Sequence, residues 1–205
     1  MSLKIKSPLG PAAGSALIMG VDPGSQHTGY GLIFSRPAGL ELVTQGRVSP
    51  PASWPLARRL AYIHAHINKL ICDYQPAAVA VEDIFYGKNV RSALKLGHVR
   101  GVVLLAAAQG ETEIFEYAPT LVKSSVAGYG RAEKSQVAHM VGELLKLDET
   151  LAPDAADALA VAICHAGQCR LSRLMPGGRG SSGRGWRSMS VDDLARLNYS
   201  PGPQD

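Results

Sequence analysis

Four acidic residues stand where an apolar pattern ends or begins. Asp22 closes the run SALIMGVD, and Glu82 closes AAVAVE. Asp154 and Asp157 open PDAADALAVAICHAG, whose following turns are Ala, Leu, Val and Ile. Those two are three residues apart, so in a helix they share one face. Pro153 suits a first helical position, which sets both near the helix N-terminus. Taken singly, each acid has a plain explanation. Asp154 fits a helix N-terminal acid, worth about 0.3–1 kcal/mol against the dipole. Asp22 in VDPGS fits a turn before Pro-Gly. Glu82 fits a strand-end charge. Asp157 is harder to dismiss, because Ala155, Ala156, Ala158 and Leu159 surround it. Asp83 points to the opposite face by strand alternation and reads as solvent-facing or supporting.

Taken together, the acids have an electrostatic problem. Two carboxylates about 4 Å apart repel by about 4 kcal/mol at an effective dielectric near 20. Four crowded acids must therefore protonate in part or surround a cation. In sequence, the one basic residue near any of them is Lys88, six positions past Glu82. An oxygen-only donor set suits Mg²⁺ or Mn²⁺. Two such ions would polarise a phosphodiester, activate a water and stabilise the leaving oxygen. Asp22, Glu82, Asp154 and Asp157 are therefore read as catalytic metal ligands.

The pattern around the acids predicts the elements that must position them. SALIMGVD, GYGLIFS and LELVTQGRVS read as strands, the last two parted by a turn at Pro37-Ala38-Gly39. WPLARRLAYIHAHINKLICDY has helical spacing, with Leu56, Leu60, Ile63, Ile67, Leu70 and Ile71 on one face. AAVAVE is a second buried strand, NVRSALKLGHVRGVVLLAAAQG a long helix, and TEIFEYA a further strand. A short helix from Pro119, the loop AGYGR, the helix AEKSQVAHMVGELLKL and the acid-bearing helix follow. This order predicts an α/β domain with a mixed sheet. The apolar first and fourth strands should be central, parallel neighbours, so that Asp22 and Glu82 emerge at one sheet edge.

The chain has 205 residues, with 46% hydrophobic and 19% charged content, as expected of one α/β domain. Residues 1–15 read as a flexible leader, 16–169 as the folded domain, and 170–205 as a disordered Arg/Gly/Ser-rich tail. Residues 1–169 hold 15 Lys and Arg against 14 acids, and the tail holds 6 arginines against 3. The high isoelectric point is thus partly a tail effect. No apolar run is long enough to span a bilayer, and the expected location is cytoplasmic. Cys72, Cys164 and Cys169 form no even framework and read as reduced thiols. The Cys164, His165, Cys169 spacing fits no zinc pattern. The six histidines are scattered, and none is needed as a base.

From Ile84 to Gly110 there are four basic residues, Lys88, Arg91, Lys95 and Arg100, and no acid. Lys88, Arg91 and Lys95 form one helical stripe. It reads as a phosphate-contacting surface, with a merely solvated face as the alternative. Phe85 and Tyr86 beside it suit stacking on exposed bases, and Phe85 equally suits a core position at a strand end. Gly97 and Gly101 would let another helix approach. The apolar face with Leu94, Val102 and Leu105 is the expected two-fold interface.

GVDPGSQHTGYGLI, VEDIFYGKNVRSALKLGHVRG, FEYAPTLVKSSVAGYGRAEKSQVAHMV and PDAADALAVAICHA together resemble the RuvC family of Holliday junction resolvases. The resemblance runs from about Met19 to His165. It implies a ribonuclease-H-like fold, with a five-stranded mixed sheet flanked by helices. It also implies a homodimer that binds a four-way DNA junction and nicks two strands of like polarity symmetrically. The catalytic acids fall on Asp22, Glu82, Asp154 and Asp157. The motif lysines near the scissile phosphate and DNA fall on Lys123 and Lys134, and the aromatic near the acids on Phe85. A branch-migration motor complex is the implied partner in a bacterial, nucleoid-associated setting. The leader, the tail and the extra charge at Asp83 depart from the family pattern.

Two rivals remain at this level. A non-cleaving module for branched DNA would be expected if one of the acids were missing, and none is. GVDPGSQHTGYGLI also resembles the phosphate loop of actin-like ATPases, but those need a second, duplicated domain for which 205 residues leave no room.

Overall fold

The computed structural model describes residues 15–83 and 90–174. Its strands are β1 (Ala16–Asp22), β2 (Thr28–Arg36), β3 (Gly39–Val48), β4 (Ala78–Glu82) and β5 (Glu113–Tyr117). Its helices are α1 (Leu56–Tyr74), α2 (Val90–Gln109), α3 (Pro119–Ala127), α4 (Lys134–Leu145) and α5 (Pro153–Leu174). The sheet order is β3-β2-β1-β4-β5. β1, β2 and β3 form an antiparallel meander, while β4 runs parallel to β1 and β5 parallel to β4. Parallel neighbours need crossover connections, which α1 and α2 provide.

The expected central pair is present. β1 and β4 lie side by side in parallel, and Val21 pairs with Val81. Asp22 and Glu82 are the next residues on each strand, so both leave the sheet at its C-terminal edge. β4 is buried on both faces until Glu82, as its Ala/Val composition requires.

The two faces carry separate cores. On one, Met19, Val21, Val79 and Val81 pack with Ile63, Ile67, Ile71, Val99 and Val103 of α1 and α2. On the other, Ile18, Ile33, Ala80 and Tyr117 meet α3, α4 and α5. α5 lies directly on the backbone of β1 and β2. A Cβ at Gly20 would overlap the Ala158 carbonyl oxygen, and one at Gly29 the Asp154 carbonyl oxygen. Only glycine allows this approach, and it sets how near the first turn of α5 comes to the strand ends.

α5 continues to Leu174, past Cys169, where the tail was expected to begin. Among the described residues, no helix is long and apolar enough to cross a membrane.

Candidate active site

The paired strands place one residue from each in a single row. Arg47 pairs with Gly29, Gly29 with Asp22, and Glu82 with Tyr117, with Asp22 and Glu82 neighbours across the parallel pair. Directly paired residues point to the same face. Asp22 and Glu82 therefore face the side on which α5 packs. Gly29 has no side chain, so α5 settles over it and delivers Asp154 and Asp157 to the same edge.

The capping chemistry of the helices fixes the remaining groups. α5 starts at Pro153, with Asp154 in its first turn and the Ala156 N–H donating to the Ala152 carbonyl at 2.9 Å. α4 starts with a capping box in which the Glu133 N–H donates to Gln136 Oε1 at 3.0 Å. The Tyr129 hydroxyl donates to the same oxygen at 2.6 Å. This start places Lys134 at the first position of α4, where its Nζ donates to Asp157 Oδ2 at 2.6 Å. On the other flank Arg47 Nη1 lies 3.4 Å from Asp154 Oδ2. α3 begins with Pro119 and carries Lys123 on its second turn.

The carboxylates act on one another. The Asp22 carboxyl is pushed up to about 6, first by burial and then by the charge of Asp157; Lys134 opposes the shift and Asp154 adds to it. The Glu82 carboxyl is pushed up to about 7 by burial, then by Asp22 and Asp157, against the pull of Lys134 and Lys123. The Lys134 ammonium is held above its ordinary value by its hydrogen bond with Asp157. The structure thus brings Asp22, Glu82, Asp154, Asp157, Lys123 and Lys134 into one electrostatic cluster.

In sequence only Lys88 lies near the acids, but the fold brings basic side chains to them from elsewhere. Lys134 and Arg47 come from remote elements and pair with one acid each. Even so, both strand-end carboxyls remain raised, first by burial and then by the neighbouring acids, against the pull of Lys134. Among the described residues, no three His, Cys, Asp or Glu side chains stand close enough to hold an ion as they lie. Asp154 and Asp157 are turned toward their cations. Ligation of an ion would require those two ion pairs to open.

Phe85, Tyr86 and Lys88 lie outside the described residues, as does the side chain of Arg91. Lys95 is exposed on α2. Arg100, the fourth basic residue of the acid-free run but not of its stripe, is engaged with Glu116 at 2.5 Å and Asp83 at 3.2 Å. That pairing agrees with Asp83 facing away from Glu82. His27 is exposed and hydrogen-bonds Ser49 Oγ at 2.9 Å.

Sequence reasoning gave Arg47 no role, because its place in the row depends on strand register. It also left the buried His165 without a role. Nδ1 of His165 hydrogen-bonds the Tyr117 hydroxyl at 2.6 Å, tying α5 to β5. Burial holds this imidazole down to about 4, so it stays neutral.

A mixed sheet in this order, with acids at the ends of β1 and β4 and on the last described helix, is the ribonuclease-H-like fold. The family model "Crossover junction endodeoxyribonuclease RuvC" matches residues 18–165. A protein of that name from Solidesulfovibrio magneticus is 48% identical over 161 residues, covering 78% of this chain and 95% of its own length. One from Legionella pneumophila is 46% identical over 172 residues, covering 83% and 98%. Thermus thermophilus RuvC in complex with Holliday junction substrate superposes with a TM-score of 0.72 at 34% identity, covering 77% of this chain and 96% of that one. The chain belongs to the RuvC family of crossover junction endodeoxyribonucleases.

Proposed function

We propose that the protein resolves four-way DNA junctions by paired, symmetric nicks, as a divalent-metal-dependent endonuclease with Asp22, Glu82, Asp154 and Asp157 as its catalytic acids. One observation carries this reading: carboxyls from three remote segments share one sheet edge, and two of them are raised to about 6 and 7, first by burial and then by the neighbouring carboxylates. The donor set is all oxygen, which suits Mg²⁺ or Mn²⁺. The chemistry such ions supply when bound is polarisation of a phosphodiester and activation of water. Lys123 and Lys134 add fixed positive charge beside the acids, where a scissile phosphate would gather negative charge. Phe85 and Tyr86 follow Glu82 and Asp83 within four residues in sequence and supply base-stacking faces. Lys88, Arg91 and Lys95 supply backbone contacts. The named relatives support the substrate, since one of them is held on a Holliday junction. The branch-migration motor partner and the cytoplasmic, nucleoid-associated setting rest on the family alone.

Two copies would present two clusters to the two strands. α2 supports this in part: Leu94 and Leu105 are 60% and 52% exposed and, among the described residues, nothing lies over Gly97 or Gly101, whereas Val102, expected on the same face, packs half-buried against the core. Sedimentation at micromolar concentration should give a dimer, and a monomer would refute the interface.

Asp22→Asn should lower cleavage of a synthetic four-way junction by on the order of 10³-fold or more. Binding of the same junction should survive. Normal cleavage by the variant would remove Asp22 from the chemistry.

A further inference from the structure

Among the described residues, Arg47 is the basic side chain paired with the acids on the meander side, and no motif of the sequence pointed to it. It stands in the row Arg47–Gly29–Asp22. Because Gly29 contributes no side chain, the first turn of α5 occupies the space between, and Asp154 lies beside Arg47. The contact is poor for such a pair: a single 3.4 Å approach, with the two side chains 46% and 27% exposed. Good charge-assisted bonds to arginine are near 2.7–2.9 Å and often two-pronged (about these values in general). An exposed pair of this kind adds little to stability. The pairing with Asp154 is therefore weak and readily exchanged.

The flanks differ in what they offer. On the far side Lys134 makes a close 2.6 Å bond with Asp157. Asp154 and Asp157 lie three residues apart on α5, so the two cations bracket the acids along one turn. A DNA strand lying across the acids brings phosphates to both flanks. Any cation that takes up the charge of Asp154 leaves Arg47 with no counter-ion. A guanidinium fork matches phosphate oxygens well and would exchange a loose carboxylate for one.

We propose that Arg47 is a substrate-positioning residue, which leaves Asp154 on DNA binding and grips a backbone phosphate on the β3 side of the acid cluster. The proposal rests on the reading that the chain binds and cuts DNA junctions. Arg47 does not touch the reacting atoms. Its role is to hold the strand in register over the carboxylates.

The test uses the full chain carrying Asp22→Asn, with and without Arg47→Gln or Arg47→Met. Binding to a synthetic four-way junction is measured against NaCl concentration, and Mn²⁺ binding to Arg47→Gln with native Asp22 is titrated separately by calorimetry. Both Arg47 variants should weaken junction binding and reduce the slope of log affinity against log salt by about 0.9, one phosphate contact's worth. Mn²⁺ affinity should change less than threefold. An unchanged slope with Mn²⁺ binding tightened tenfold would show a counter-ion for Asp154 alone and overturn the proposal. So would a change in only one of the two variants. If the Asp22→Asn parent fails to bind the junction at low salt, the functional reading itself falls, and the role of Arg47 with it.

Discussion

On β1 and β4, alternate residues read Met19, Val21, Val79 and Val81 toward α1 and α2, but Gly20, Asp22, Ala80 and Glu82 toward α5. The first set is bulky, apolar and fully buried. The second is small, then acidic. Bulky residues hold a helix off the sheet and fill the gap with side chains. Small ones let the helix rest on the backbone, so that its N-terminal acids reach the acids at the strand ends. One face supplies stability and the other supplies proximity.

Breaking the close face should cost most. Gly20→Val places a side chain where the Ala158 carbonyl stands. α5 must then lift or slide, and a misplacement of about 1 Å at a reacting centre can cost on the order of 10²-fold in rate. Cleavage per folded molecule should fall by about that much. The contrasting substitution is Ile67→Ala, a fully buried side chain of α1 on the other face. It should lower unfolding free energy by about 2–5 kcal/mol and leave the cleavage rate of the folded fraction nearly unchanged. Urea melts and single-turnover rates on both variants check the contrast. A similar loss of rate in the two would end the division between faces.

A smaller effect sharpens the comparison through pH. Asp22 and Glu82 titrate near 6 and 7 in the fold, above the ordinary carboxylate range. Between the unfolded and folded values the native state holds protons that the unfolded chain has released. Stability without divalent ions is therefore full below the unfolded values and falls as pH rises through about 6 to 7. Asp22→Asn removes part of that loss. Its metal-free melting temperature at pH 8 should exceed the parent's by about 2–4 °C per kcal/mol relieved, and the gain should vanish near pH 4. A gain of equal size at both pH values would mean that the charge of a buried, crowded carboxylate is not its source. Ion binding, which requires those protons to leave, should tighten across the same window.

The residues that sequence reading placed well are those whose signal lies within their own segment. Asp22 and Glu82 end apolar runs, and Asp154 and Asp157 open one, so strand ends and a helix start were legible without tertiary knowledge. The parallel pairing of β1 with β4 followed from their composition. Lys123 and Lys134 came from family resemblance, not from spacing. Arg47 was not legible, because its place in the row depends on how β2 and β3 register, and that register shifts between Leu32 and Ile33. The ion pairs of Arg100 were not legible either, because a window along one helix sees only its own acids. Its partners, Asp83 and Glu116, lie at the end of β4 and on β5.

The helix that completes the acid cluster is the last described element of the chain. A chain still emerging from the ribosome, or one clipped before residue 153, carries Asp22 and Glu82 without Asp154 and Asp157. Such unfinished or clipped copies lack two of the four acids proposed as catalytic, and on that proposal they should not cut. On the proposed function, synthesis order withholds the cutting centre until α5 has been made and has packed on β1 and β2.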